Sequence, residues 1–356
     1  MQKYIQTIGF ILLILCASKM ALNAQEMKWS NPIKLKGGAN FPKVLGENSN
    51  GIFLMRYRNR FYTKSIFLER YNSDLNLDLS LYVDLKNAQI LKVQMTPKGI
   101  LVIKSKRNKS TKNQVITGSW LSYNLKPIGK EVILFSHQNK HPLGSNTIQL
   151  CMNDSLNQLS ISMRSYLNNS TEICNYLFDL DYTLIRKKRY KLGLMQQVTL
   201  KDACINNEGI TTVYCQESDQ FESTIDAILL TIKPDTILPF KFTDSTNIGS
   251  ATLIYNRSND AIQFVGFYGE PNQAGLVGAV FSNLDTTQTT WNTIYRRFDP
   301  EWLKTLNTGI FNSSLIAGDF KLNICIPKSD GGLVITAEQK DVSTENYVYT
   351  INGISQ

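Results

Sequence analysis

Six times along the chain a polar turn, ending in glycine in four cases, runs straight into a short β-rich segment. The segments are Ile52–Met55, Ile100–Ile103, Leu159–Ser162, Ile210–Val213, Ile262–Val265 and Leu333–Thr336. Gly51, Gly99, Gly209 and Gly332 stand immediately before four of them, where a tight hairpin wants positive φ. Each segment is followed by a second apolar strand that ends on a polar turn marker: Asn72, Asn124, Asp179, Lys233, Asn283 and Asn352. From segment to marker the distances are 20, 24, 20, 23, 21 and 19 residues. Between successive segments they are 48, 59, 51, 52 and 71, so one unit recurs with a period near 50.

The long last interval points to an insertion over about 299–309. Asp299 can cap a helix there, Pro300 suits its first turn, Trp302 and Leu303 follow, and Gly309 lies just beyond. Each unit parses into four strands. In the second these are Gln89–Thr96, Ile100–Lys104, Val115–Tyr123 and Lys130–Ser136. A β-sandwich also has short strands, but not a four-strand unit at one period. The sixth unit stops after a third strand, Asn346–Ile351, while an orphan strand, Lys28–Leu35, precedes the first unit, which opens near Phe41. The orphan can complete the last sheet and so remove an unpaired edge. The expected fold is therefore all-β: a six-bladed β-propeller of four-stranded antiparallel blades, closed by the N-terminal strand, spanning 25–356 as one domain.

In this architecture, and in pieces such as Val265-Gly266-Phe267-Tyr268 and Gly331-Gly332-Leu333-Val334, the chain resembles the β-propeller superfamily. The likeness is nearest to uncharacterised secreted propeller-like proteins of Gram-negative bacteria. It implies a fold and no activity, since neither a regular Trp-Asp blade ending nor a sialidase box is present.

Residues 1–24 read as a secretory signal peptide. Lys3 opens it, Ile8–Leu15 is apolar, and Ala24 precedes a cut at Gln25. The apolar stretch is too short to span a bilayer and no later one is long enough, so the chain is expected in the periplasm or outside the cell. Ile14 and Leu15 stand where a lipoprotein signal wants small residues, which argues against lipid anchoring at Cys16. Losing the leader removes Lys3 and Lys19 and no acid, so the formal charge falls from +9 to +7. Five cysteines remain, an odd number that excludes a disulfide scaffold. They read as small buried hydrophobes, with Cys204 and Cys215 flanking a hairpin turn across which they could face each other.

Catalytic motifs are absent: no Gly-x-Ser-x-Gly, no His-Glu-x-x-His, no phosphate-binding glycine loop and no Cys-x-x-Cys. His137 and His141, the only histidines, read as a solvated loop pair between the second and third units rather than a metal site, because Pro142 disfavours a helix there. Asp74-x-Asn76-x-Asp78-x-Ser80 imitates the start of a calcium loop. It lacks the central glycine and closing glutamate, and its alternating leucines read as strand. Glu217, Asp219 and Glu222 gather in one loop of the fourth unit, followed by Asp226, and read as a solvated surface. No metal and no cofactor is implied.

The strongest feature outside the core is basic. Arg56-Tyr57-Arg58-Asn59-Arg60-Phe61-Tyr62-Thr63-Lys64 joins the second and third strands of the first unit. Lys104, Lys106, Arg107, Lys109 and Lys112 occupy the equivalent loop of the second. A second basic run, Arg186–Lys191, falls on an outer strand, where charge guards an exposed edge. The leading expectation is an exported, non-catalytic interaction protein. It would bind an anionic glycan, a lipopolysaccharide or lipid headgroup, or an acidic envelope protein through Arg58, Arg60, Tyr62, Lys106, Arg107 and Lys109. Export removes nucleic acid from the partners. The alternatives are a carbohydrate-active enzyme with a carboxylate pair at the central channel, and a structural subunit of an envelope assembly.

Overall fold

A computed structural model describes residues 41–57, 65–86, 88–108, 110–111, 113–138, 147–153, 155, 157–167, 170–194, 197–218, 225–242, 247–269, 276–285, 290–301, 303, 320–328 and 332–339. The expected leader 1–24, Lys28–Leu35, Arg58, Arg60, Tyr62, Lys109, Lys112, His141, Asp219, Glu222, Trp302, Gly309, Asn346–Ile351 and Asn352 lie outside the described residues. Two units are distinguished, one of residues 1–87 with 121–128 and one of 88–120 with 129–356.

The first unit holds a four-stranded antiparallel meander of β1 (Phe41–Asn48), β2 (Gly51–Tyr57), β3 (Ser65–Tyr71) and β4 (Leu77–Asp84). The second unit, apart from residues 121–128 at the β7–β8 turn, repeats it. Its sheets are β5 (Ala88–Thr96), β6 (Gly99–Arg107), β7 (Asn113–Leu121) and β8 (Pro127–Gln138); β9 (Ile148–Asn153), β10 (Gln158–Leu167), β11 (Ser170–Asp179) and β12 (Leu184–Leu194); β13 (Gln197–Ile205), β14 (Thr211–Ser218), β15 (Ile225–Ile232) and β16 (Ile237–Lys241); and β17 (Asn247–Asn256), β18 (Ala261–Gly269), β19 (Leu276–Asp285) and β20 (Thr290–Arg297). A last pair, β21 (Phe320–Pro327) and β22 (Leu333–Gln339), forms a two-stranded sheet among the described residues. All the pairing is antiparallel and follows chain order.

The repeated segments therefore fall on the second strand of each sheet, with Ile210 just ahead of β14. The second sheet takes the expected four strands, though β6 and β8 run past their expected ends. Five sheets have four strands among the described residues. The strands expected to complete a sixth, Asn346–Ile351 and Lys28–Leu35, fall outside them. Within the expected insertion the Asp299 carboxylate accepts the Glu301 amide at 2.7 Å and its carbonyl the Leu303 amide at 3.0 Å.

One turn recurs in four hairpins, opening at Asn72, Ser122, Asp179 and Asn206. In each, the opening carbonyl accepts the amide three residues on, at 2.8–3.1 Å, and that third residue is left-handed: Leu75, Leu125, Tyr182 and Gly209. The opening side chain caps the loop. Asp179 Oδ1 accepts the amides of Asp181 and Thr183 at 2.9 and 2.7 Å, and Asn72 Oδ1 those of Asp74 and Asn76 at 3.0 and 2.9 Å. In the second sheet this role belongs to Ser122 rather than Asn124. Asn283 lies inside β19, two residues before its end. The calcium-like stretch is half turn and half strand: Asp74, Leu75 and Asn76 form the turn, and only Leu77 onward alternates in β4.

In the second unit each pair of successive sheets encloses its own apolar cluster. Leu101, Ile103 and Ile116 meet Leu159, Ile161 and Tyr176; Ile173 and Leu192 meet Leu200, Val213 and Ile228; Tyr214 and Leu229 meet Phe264 and Val280. The first strands adjoin in chain order, β5 to β9, β9 to β13, β13 to β17 and β17 to β21. Propeller blades pack in this way. Second strands are consequently covered on both faces, as in β18, where all residues but Ala261 are buried. Outer strands are half solvated, with Leu184, Ile185 and Ile294 exposed.

Cys204 and Cys215 do not face each other. The β13–β14 register sets Cys204 against Thr212 and Cys215 against Leu200, and Cys151, Cys174, Cys204, Cys215 and Cys325 are free thiols. Four are buried and Cys325 is half-buried, so all but the last are core hydrophobes.

Candidate functional site

Of the expected contact residues, Lys106 and Arg107 are described. Both lie on β6 rather than in the loop after it. Lys106 is exposed and Arg107 half-buried, and as strand neighbours they project to opposite faces. Lys104, also on β6, is taken up by an ion pair with Glu131 of β8. Arg56, at the head of the first basic run, points into its own sheet, where it pairs with the wholly buried Glu69 and lies 5.3 Å from the Phe67 ring centroid.

His137 is not a solvated loop residue. It lies one residue before the end of β8, is buried, and its Nε2 shares a 2.8 Å hydrogen bond with Ser165 Oγ of β10. A Ser–His contact suggests nucleophile activation, but Ser165 has no exposed surface, so no substrate can reach it. Burial lowers the His137 pKa, Arg189 and Lys187 lower it further, and Glu172 opposes them. A base with a lowered folded pKa stabilises fully above its ordinary range and loses that contribution as pH falls through the lowered value. Acidification from about pH 7.5 to about pH 5.5 should thus lower the melting temperature more in the native chain than in His137→Gln. Equal shifts in the two proteins would remove His137 as the cause.

The first strands of the second unit bring together a cluster that no motif announced. Asp202 follows a bulge in β13 and is tied down by three donors: Thr252 Oγ at 2.6 Å, the Leu253 amide at 2.9 Å and the Ala203 amide at 2.8 Å. Burial raises its pKa despite those donors and the nearby charge of Lys92. Beside it a cavity of about 320 Å³ is lined by Thr252, Leu253, Ile254, Tyr255, Leu322 and Cys325. Asp202 is the one acid on β5, β9, β13, β17 and β21, so these strands offer no carboxylate pair for glycoside chemistry. Glu217 and Asp226 are cross-strand neighbours at the far end of the β14–β15 ladder. Among the described residues no three His, Cys, Asp or Glu side chains are grouped to hold a metal ion.

The largest concentration of charge lies on β12, the edge of its sheet among the described residues. Arg186, Lys187, Lys188, Arg189 and Lys191 occupy it, and none is in an ion pair among the described residues. Lys187 covers the Tyr176 ring, its Nζ 5.1 Å from the centroid, and Arg186 donates to the Gly209 carbonyl at 2.8 Å. Lys187, Arg189 and Lys191 are exposed.

No protein-family model matches the sequence, and no curated protein matches it. Solved structures match in shape. The Dos1 propeller is 11% identical over 82% of this chain, with a TM-score of 0.45, and this chain spans 65% of that one's length. An α-L-arabinanase of Penicillium chrysogenum, solved with arabinobiose, is 8% identical over 84% of this chain and 93% of its own, with a TM-score of 0.42. A variant of the Synechocystis apocarotenoid oxygenase is 11% identical over 81% and 64%, with a TM-score of 0.41. Likeness at this distance says nothing of ligand or activity.

Proposed function

We propose that the mature chain is an exported six-bladed β-propeller that catalyses nothing and binds an anionic partner, a glycan, lipid headgroup or acidic protein of the envelope. The leader 1–24 would be removed and the N-terminal strand would complete the sixth blade. One observation supports this reading above the rest. The four ion pairs among the described residues take up Arg56, Arg70, Lys98 and Lys104, and none of them involves Lys106 or the β12 run. Unneutralised cations on a rigid scaffold steer and hold anions. The contacts on the rim of the first two blades would be Arg58, Arg60, Tyr62, Lys106, Arg107 and Lys109.

The test is capture on vesicles containing lipopolysaccharide and from envelope extracts, with the native chain beside an Arg58→Ser, Arg60→Ser, Lys106→Ser, Arg107→Ser variant. Retention of the native chain should weaken steeply with salt, and the variant should lose about tenfold in affinity. Equal capture by both proteins would refute this placement of the contacts.

A further inference from the structure

Sister edges show how much charge edge protection requires. Outer strand β4 carries Asp78 and Asp84, β8 carries Lys130 and Glu131, β16 has Pro239 with Lys241, and β20 ends in Arg296 and Arg297. One or two charges, or a proline, suffice on each. β12 has five cations within six residues and no acid. That excess exceeds what repelling another edge needs, and it selects for a partner of opposite sign.

The arrangement of the charges says what kind of partner. Lys187, Arg189 and Lys191 share one face of β12, opposite Tyr176, Cys174 and Glu172 of β11. Glu172 stands across from Lys191 in register without forming an ion pair. Alternate strand residues recur every ~6.8 Å, so this face presents three cations at the side-chain repeat of an extended polypeptide. Arg186, Lys188 and Tyr190 lie on the other face, and Arg186 is held there by Gly209. Bulges at Ile185 and Gly193 bracket a regular ladder over Arg186–Leu192. The strand then opens onto two apolar side chains, Leu184 and Ile185, which are 49% and 51% exposed. An edge strand also leaves every second N–H and C=O without a strand partner on its outer side.

We infer that β12 is a strand-addition site for an extended acidic segment of another polypeptide, with Asp or Glu at every second residue and apolar residues at its C-terminal end. The segment pairs antiparallel, as the other neighbours in this fold do, so its acids meet Lys191, Arg189 and Lys187 and its apolar end meets Ile185 and Leu184. Backbone pairing supplies affinity, and the alternating charge supplies register. This rests on the reading above only for the sign of the partner's charge, and it uses a different surface.

The probe is the labelled peptide Glu-Thr-Glu-Thr-Glu-Thr-Val-Ile, followed by fluorescence anisotropy. Lys187→Ser/Arg189→Ser/Lys191→Ser should weaken its binding about thirtyfold, and N-methylation of alternate peptide amides about tenfold. The quadruple variant of the first two blades should bind the peptide as the native chain does, so the two readings fail in different proteins. In the native chain the peptide should also slow amide exchange over Arg186–Leu192, a readout that requires no variant to fold. Equal binding of the methylated peptide, or binding without slowed exchange, would overturn strand addition in favour of charge attraction alone. Tighter binding of a sulfated glycan of equal charge would overturn the choice of a polypeptide. Self-association of the free chain that the triple substitution abolishes would give the edge to a second copy instead.

Discussion

Arg56→Met should destabilise the first sheet by about 3 kcal/mol, because it strands a carboxylate that has no access to water. Glu69 of β3 is 1% exposed and receives Arg56 Nε at 2.7 Å, a second guanidinium nitrogen, and the Tyr71 hydroxyl at 3.1 Å. Remove the guanidinium, and a single phenol is left to solvate the charge. Glu69→Gln keeps an acceptor and removes the charge, and should cost about half as much. The paired change Arg56→Met/Glu69→Leu should come back to within about 1 kcal/mol of the native chain, because packing then replaces the ion pair. Urea melts of these four proteins, with Glu69→Leu alone as a fifth, complete the cycle. A cost below about 1 kcal/mol for Arg56→Met would mean that Glu69 finds another partner.

The same cluster sets an alkaline limit. Tyr71 is pushed up to about 12, by burial first and then by the charge of Glu69. A raised phenol pKa stabilises the fold fully below the ordinary tyrosine value of 10 and is lost as pH rises through about 12. In Glu69→Gln that upper value should fall but stay above 10, because burial remains.

Periodicity was readable because the second strand of each sheet is covered on both faces and must be apolar or internally satisfied. β10 shows the second case: Ser160 and Ser162 are buried, and both accept from Asn175 Nδ2, at 2.7 and 2.9 Å. Turn markers were readable because Asn and Asp cap their own loops. Asn124 misled because its side chain serves a distant partner, Arg70 Nη1 at 2.8 Å, while Ser122 opens the turn.

What local pattern could not give was the fate of each charge. Arg56 and Lys104 look like loop cations until Glu69 and Glu131, 13 and 27 residues away, draw them into strands. His137 looked solvated beside Pro142, but its burial is decided by Ser165, 28 residues on. Asp202 gave no signal beyond an acid in an apolar strand, since its donors Thr252 and Leu253 belong to the next sheet. Thus the fold could be read from near-neighbour chemistry, whereas a site depends on which sheets adjoin.

Gly51→Ala should cost the first sheet 3 kcal/mol or more, roughly the sum of a backbone penalty and a clash that cannot relax. Gly51 opens β2 at φ +129°, and a Cβ there would sit 2.1 Å from the Tyr71 carbonyl oxygen. That carbonyl belongs to the residue paired with Ile52, so moving it means breaking the β2–β3 ladder. Two other glycines isolate the backbone part. Gly129 has φ +74° with no atom within 4 Å of a built Cβ, and Gly209 has φ +72° with only the end of the flexible Gln158 side chain at 3.2 Å. Alanine at either should cost about 1 kcal/mol, the penalty of the left-handed region alone. Urea midpoints should therefore rank Gly129→Ala and Gly209→Ala together and Gly51→Ala well below them. If the three fall together, Tyr71 does not press on Gly51, and the tight entry into the first repeated segment is not what fixes its register.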